Sequence, residues 1–157
     1  MNQRSILRAA AMTALGFVLT MNQAAAQMAK DIVGTWSLTS ADAFGPTPKG
    51  SIIFETNGRF SAILMRNDLA KYASNSRIQG TPAEYKGTVD GSLAYFGTYS
   101  VSGTDLNLHV DGSTFPNWTG TDQKRTNIAI TGDEFKYTQP TPSGGGPATV
   151  VVWKRVK

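Results

Sequence analysis

A lone histidine, His109, limits the acid–base chemistry open to this chain. A catalytic dyad built on imidazole has one possible base here, and a metal site has one possible imidazole ligand. His109 sits in Asp105-Leu106-Asn107-Leu108-His109-Val110-Asp111, where polar and apolar residues alternate strictly. On a strand, that alternation sends the two sets to opposite faces. Two arrangements satisfy it: the leucines fill an interior and His109 meets solvent, or the polar row points inward and lines a hydrated pocket. Composition leans to the first, because leucine is among the residues most often buried. Arg125, in Asp122-Gln123-Lys124-Arg125, is either half of a surface ion pair or a charge-assisted partner for an acidic ligand. Tyr95 and Tyr99 lie on one face of a strand and share its environment.

Other chemistries are poorly served. The chain has no cysteine, which removes disulfides, thiolate catalysis, thiolate-rich zinc sites and a lipid-anchored cysteine together. There is no His-x-His pair and no aspartate-rich loop with calcium spacing. Ser102, Ser113 and Ser143 fall in glycine-containing turns without a nucleophile-elbow pattern. Asn117-Trp118-Thr119 matches a glycosylation sequon, a three-residue pattern short enough to arise by chance. No metal and no cofactor is expected.

The elements that must position these residues are short β-branched and aromatic segments separated by Gly, Asn, Asp and Pro. Eight can be picked out: Ile32 to Ser40, Gly50 to Thr56, Arg59 to Arg66, Leu93 to Val101, Asp105 to Asp111, about Thr121 to Ile130, Phe135 to Gln139 and Ala148 to Val156. Asn57-Gly58 predicts a type I′ hairpin between the second and third. Ser102-Gly103 and Thr131-Gly132-Asp133-Glu134 supply further tight turns, and Pro140 to Pro147 must be a loop. Neighbours joined by tight turns pair antiparallel in an up-and-down order, and closing such a sheet removes its edges. The fold class is therefore all-β, an eight-stranded antiparallel up-and-down barrel. One short helix interrupts it between strands 3 and 4: Thr81 caps, Pro82 suits the first helical position and Glu84 completes a capping box, so a helix runs from Pro82 to about Asp90. It would cover one mouth of the barrel or lie along its wall.

Residues 1–26 read as an address. Arg4 and Arg8 precede an apolar run from Ala9 to Met21, and Ala24-Ala25-Ala26 offers the small residues of a cleavage site. The run is too short and interrupted to span a bilayer comfortably. Cleavage after Ala26 leaves one domain over residues 27–157, exported through the general pathway and periplasmic or secreted. It then keeps thirteen basic against eleven acidic residues, a net charge of +2. With the basic residues scattered, nucleic acid is not an expected partner. No membrane span remains after cleavage. An eight-stranded outer-membrane barrel is also disfavoured, because Trp153-Lys154-Arg155-Val156-Lys157 ends in charge.

Gly34-Thr35-Trp36 on the first strand resembles the Gly-x-Trp signature of lipocalins, and Trp153-Lys154-Arg155 on the last resembles the place of their barrel-closing arginine. More specific are Gly58-Arg59-Phe60-Ser61-Ala62, Thr81-Pro82-Ala83-Glu84-Tyr85, Ala94-Tyr95-Phe96-Gly97-Thr98-Tyr99, Phe115 to Arg125 and Val152-Trp153-Lys154-Arg155. In this order they are similar to bacterial and fungal lipocalin-like domain proteins of the calycin type. The resemblance implies that Arg155 lies over Trp36 at a closed end. It also associates His109 with Tyr99 and Arg125, which favours the inward arrangement. Tyr95, Tyr99, His109, Trp118 and Arg125 would then form an apolar cup with a polar, partly cationic end. Such a cup suits a small hydrophobic or amphipathic molecule carrying a carboxylate or phenol. An alternative is a cofactor-free cyclase or isomerase, with His109 or Tyr99 moving a proton and Arg125 steadying an oxyanion. That reading needs His109 inside.

Overall fold

The computed structural model describes residues 26–157, so the expected leader lies outside the described residues except for Ala26. Residues 26–31 form a helical turn, α1. The strands follow as β1 (Gly34–Ala41), β2 (Lys49–Phe54), β3 (Arg59–Met65), β4 (Ser92–Ser102), β5 (Asp105–Ser113), β6 (Asp122–Thr131), β7 (Glu134–Gln139) and β8 (Thr149–Arg155). Each pairs antiparallel with its neighbour in sequence, and β8 pairs with β1, closing an eight-stranded barrel. The one α-helix inside the barrel sequence, α2 (Pro82–Gly91), lies between β3 and β4.

Local chemistry explains most boundaries. The hydroxyl of Thr81 accepts from the Glu84 amide, and the Glu84 carboxylate accepts from the Thr81 amide at 2.6 Å, closing the capping box. The β2–β3 turn is one residue longer than a two-residue type I′ loop. Gly58 N–H donates to the Glu55 carbonyl, and Gly58 alone takes a positive φ, +81°. This is a three-residue loop with its glycine in the left-handed region, a common hairpin solution. Ile32, expected on the first strand, instead follows α1 and is fully buried beneath it.

Strand alternation fills the interior with Trp36, Phe54, Phe60, Leu106, Leu108, Phe135 and Trp153, each 3% exposed or less. Aromatic contacts bind this half together: Phe135 lies 5.4 Å from Trp36 and 6.0 Å from Phe54, centre to centre. Across the β4–β5 ladder a side chain at Gly97 is impossible, since a Cβ there would fall 1.9 Å from the His109 carbonyl oxygen.

Candidate functional site

The two ends of the barrel differ. At one end Arg155 stacks on Trp36, its Cζ 3.9 Å from the ring centre, and donates to the carbonyls of Val33 at 3.0 Å and Asp31 at 2.5 Å. The Trp36 indole donates to the Ile32 carbonyl at 2.8 Å. Gly34, with φ +128°, leaves room for the guanidinium, because a Cβ there would meet Nη1 at 3.0 Å. One cation thus ties α1, β1 and β8 together and shuts this end. Trp36 and Arg155 are direct register partners across the β1–β8 seam.

The other end is open. A cavity of about 200 Å³ lies between the start of β4, β6, the end of β7, the start of β8 and the two segments that rim it. Those segments are the 3-10 turn Asp42–Phe44 and the loop at Pro142, Ser143, Gly144 and Gly145. Leu64, Leu93 and Val151 line its wall, with Tyr95, Trp118, Arg125, Tyr137 and Gln139. Trp118 is brought there by a 3-10 turn, Pro116–Trp118, whose ring meets Tyr95 edge-on at 5.3 Å.

Arg125 is the charged member of this wall. It projects inward from β6 and is 1% exposed. Its Cζ lies 5.4 Å from the Trp118 ring centre, 5.8 Å from Tyr137 and 6.0 Å from Tyr95. Nη1 donates to the Lys124 carbonyl at 3.0 Å, Nη2 reaches the Tyr95 hydroxyl at 3.5 Å, and Nε has no partner among the described residues. The surface ion pair considered from sequence is therefore not what Arg125 makes. Burial pushes the Tyr137 phenol well above the usual tyrosine range, with the Tyr95 phenol adding to the shift and the Arg125 cation opposing it, so this hydroxyl stays protonated at the cavity wall.

The expected five-residue convergence holds for Tyr95, Trp118 and Arg125 and fails for the other two. His109 points outward, its side chain 51% exposed, with Nδ1 2.8 Å from Asp122 and Nε2 4.0 Å from Asp111. Asp111 in turn pairs with Arg59 at 2.8 Å, and Asp105 with Lys124 at 2.6 Å. The polar row of β5 is thus a ladder of exterior ion pairs. The reason is the other parity: Leu106, Leu108 and Val110 are 1% exposed or less and occupy the interior that His109 would need. Tyr99 shares the inward face of β4 with Tyr95 but lies four residues along, about 13 Å at the rise of a strand. It packs edge-on against Phe54 at 4.9 Å and donates to the Glu55 carbonyl at 2.9 Å, toward the closed end.

Sequence reasoning missed Tyr137 and Gln139. Both share the parity of Phe135 on β7, an apolar-polar alternation that signals an inward row. Helix α2 does not line the cavity. Its residues Thr88, Val89 and Asp90 instead face Phe44 and Ser143-Gly144 across an adjoining groove, which shares those rim residues and Leu93 with the cavity. Among the described residues no cluster of His, Asp and Glu has the geometry of a metal site.

A closed up-and-down barrel with an arginine-over-tryptophan seal and an aromatic cup at the other end describes a lipocalin-type binding protein. A family model for the lipocalin-like domain matches residues 33–156, and the chain belongs to that family. No curated protein matches it.

Proposed function

We propose that the protein is an exported carrier or receptor for a small hydrophobic or amphipathic molecule, held in the cup at the open end of the barrel. The observation that carries this reading is the cavity itself: about 200 Å³, walled mostly by apolar and aromatic side chains, with a few convergent polar groups. Small-molecule sites are built this way because apolar walls supply affinity while sparse polar groups fix orientation. The volume falls below the roughly 300–1,000 Å³ of drug-sized sites, so the ligand is small or leaves part of itself outside.

Export rests on the leader pattern of residues 1–26, and makes the protein periplasmic or secreted. Fractionation of the producing cells, with N-terminal sequencing of the mature chain, tests that part. A start at Gln27 in the exported fraction supports it, and an intact Met1 in the cytosol removes it.

The cyclase or isomerase alternative has lost its proton-moving groups, since His109 faces solvent and Tyr99 lies outside the cup. Binding is tested by thermal melts against fatty acids, phenols and isoprenoids. A ligand that binds the native state alone raises the melting temperature. If no member of such a panel shifts the melt, the carrier reading fails.

A further inference from the structure

Two buried polar atoms lack a partner among the described residues, Trp153 Nε1 and Arg125 Nε, and only the second belongs to a residue lining the cavity. A guanidinium is a permanent cation with five N–H donors in a rigid fork. The side chain of Arg125 uses one of them well and a second at the limit of hydrogen-bonding distance, with the Tyr137 hydroxyl beside it as a further, weaker polar contact. A buried charge is ordinarily matched by a counter-charge. None of the ion pairs among the described residues includes Arg125. The aspartates flanking it in sequence and across the ladder, Asp122 and Asp105, are engaged outside the barrel by His109 and Lys124.

Resting on the reading of the cup as a binding site, we propose that its ligand is a small monocarboxylate with an apolar or aromatic body, bound head-first with its carboxylate on Arg125. Three features select that chemistry. Arg125 is the single cationic side chain in the cavity lining, and the one acid there, Asp42, is exposed on the rim, so one negative charge is matched and a second is repelled. The guanidinium fork matches the two oxygens of a carboxylate, and Nε–H, buried without a partner among the described residues, is the donor that such a group would satisfy. A phenol with a pKa near 10 arrives neutral at pH 7 and forgoes the charge-assisted bond. Orientation follows from burial: Arg125 is 1% exposed, whereas Gly144 and Gly145 at the rim are open to solvent. The tail therefore points to the mouth, where Phe44 and Pro142 supply apolar contact.

Isothermal titration of the purified domain at pH 7 tests this with matched pairs: benzoate against benzyl alcohol, 4-phenylbutyrate against 4-phenylbutan-1-ol, octanoate against octan-1-ol. In the wild type at least one carboxylate should bind about tenfold or more tightly than its alcohol. The preference should collapse in Arg125→Gln and survive in weakened form in Arg125→Lys, which keeps the charge but not the fork. Should alcohols bind as well as carboxylates, the anion inference is overturned while the carrier reading stands. Silence from both series across the wild type overturns both. The wild-type comparison decides the matter even if a variant does not fold.

Discussion

Replacing Arg125 by methionine separates a cation held for a ligand from one that holds the barrel together. The substitution keeps an unbranched chain inside the wall and removes the guanidinium. Three cation–π contacts are lost, all at 5.4–6.0 Å and so near the outer limit of that interaction, worth about 0.5–1 kcal/mol each. Two hydrogen bonds of the cation go with them, a sound one to the Lys124 carbonyl worth about 1.5–3 kcal/mol and a weak one to the Tyr95 hydroxyl at 3.5 Å. Against this stand the several kcal/mol of burying an ion without a counter-charge, the roughly 1–3 kcal/mol of an unmade Nε–H bond, and new sulfur–aromatic contacts of about 0.3–1.5 kcal/mol. The balance favours the variant. Arg125→Met in the ligand-free protein should be neutral or up to about 2 kcal/mol more stable, a melting shift of roughly zero to +8 °C for a domain of this size. Urea unfolding followed by tryptophan fluorescence, with calorimetric melts beside it, measures the change. A loss of about 2 kcal/mol or more would refute the reasoning, because the aromatic ring cluster would then be a stabilising structural seat for the cation.

Arg155→Ala at the closed end should behave in the opposite way. It removes a close stack on Trp36 and two bonds to the carbonyls that hold α1, costing about 2–3 kcal/mol in urea unfolding, and a loss under about 0.5 kcal/mol would contradict the sealing role. His109→Ala removes only exposed ion-pair contacts, so stability should change by less than about 1 kcal/mol and carboxylate titrations should be unaltered; abolished binding would return His109 to the site. Glu84 has its carboxyl held below the usual glutamate value, first by the Thr81 and Ala73 amides it accepts from. A depressed folded pKa means its contribution is present above the unfolded value, near 4.5, and is lost as pH falls through the folded one. Hydrogen exchange at the Ala73 and Thr81 amides should therefore lose protection in acid before the barrel strands do, and Glu84→Gln should flatten that dependence. Equal acid sensitivity in wild type and variant would sink it.

The residues of the cup were only partly legible. Tyr95, Trp118 and Arg125 lie in segments that carry the family resemblance, whereas Tyr137, an isolated tyrosine on a short strand, carries no motif. Its parity with Phe135 was the available signal. His109 is the instructive failure. The alternation around it favours exposure, and its outward side chain agrees with that direct physical signal against the inward arrangement the family resemblance implies.

Local chemistry is enough to place the strands to within a few residues, the points where the chain turns, the capped helix and the order of neighbours, because each depends on residues a few positions apart: alternation, positive-φ glycines, a threonine and a glutamate at capping spacing. Closure of the barrel decided the rest. That Tyr99 and Tyr95 serve opposite ends of one face depends on strands β1 and β8 meeting across the seam, with one end sealed and the other left open. The same holds for the isolation of Arg125. A buried charge acquires or lacks a partner only when neighbouring strands have come together, and the acids nearest this one along the strand and across the ladder, Asp122 and Asp105, lie on the outer face of the sheet.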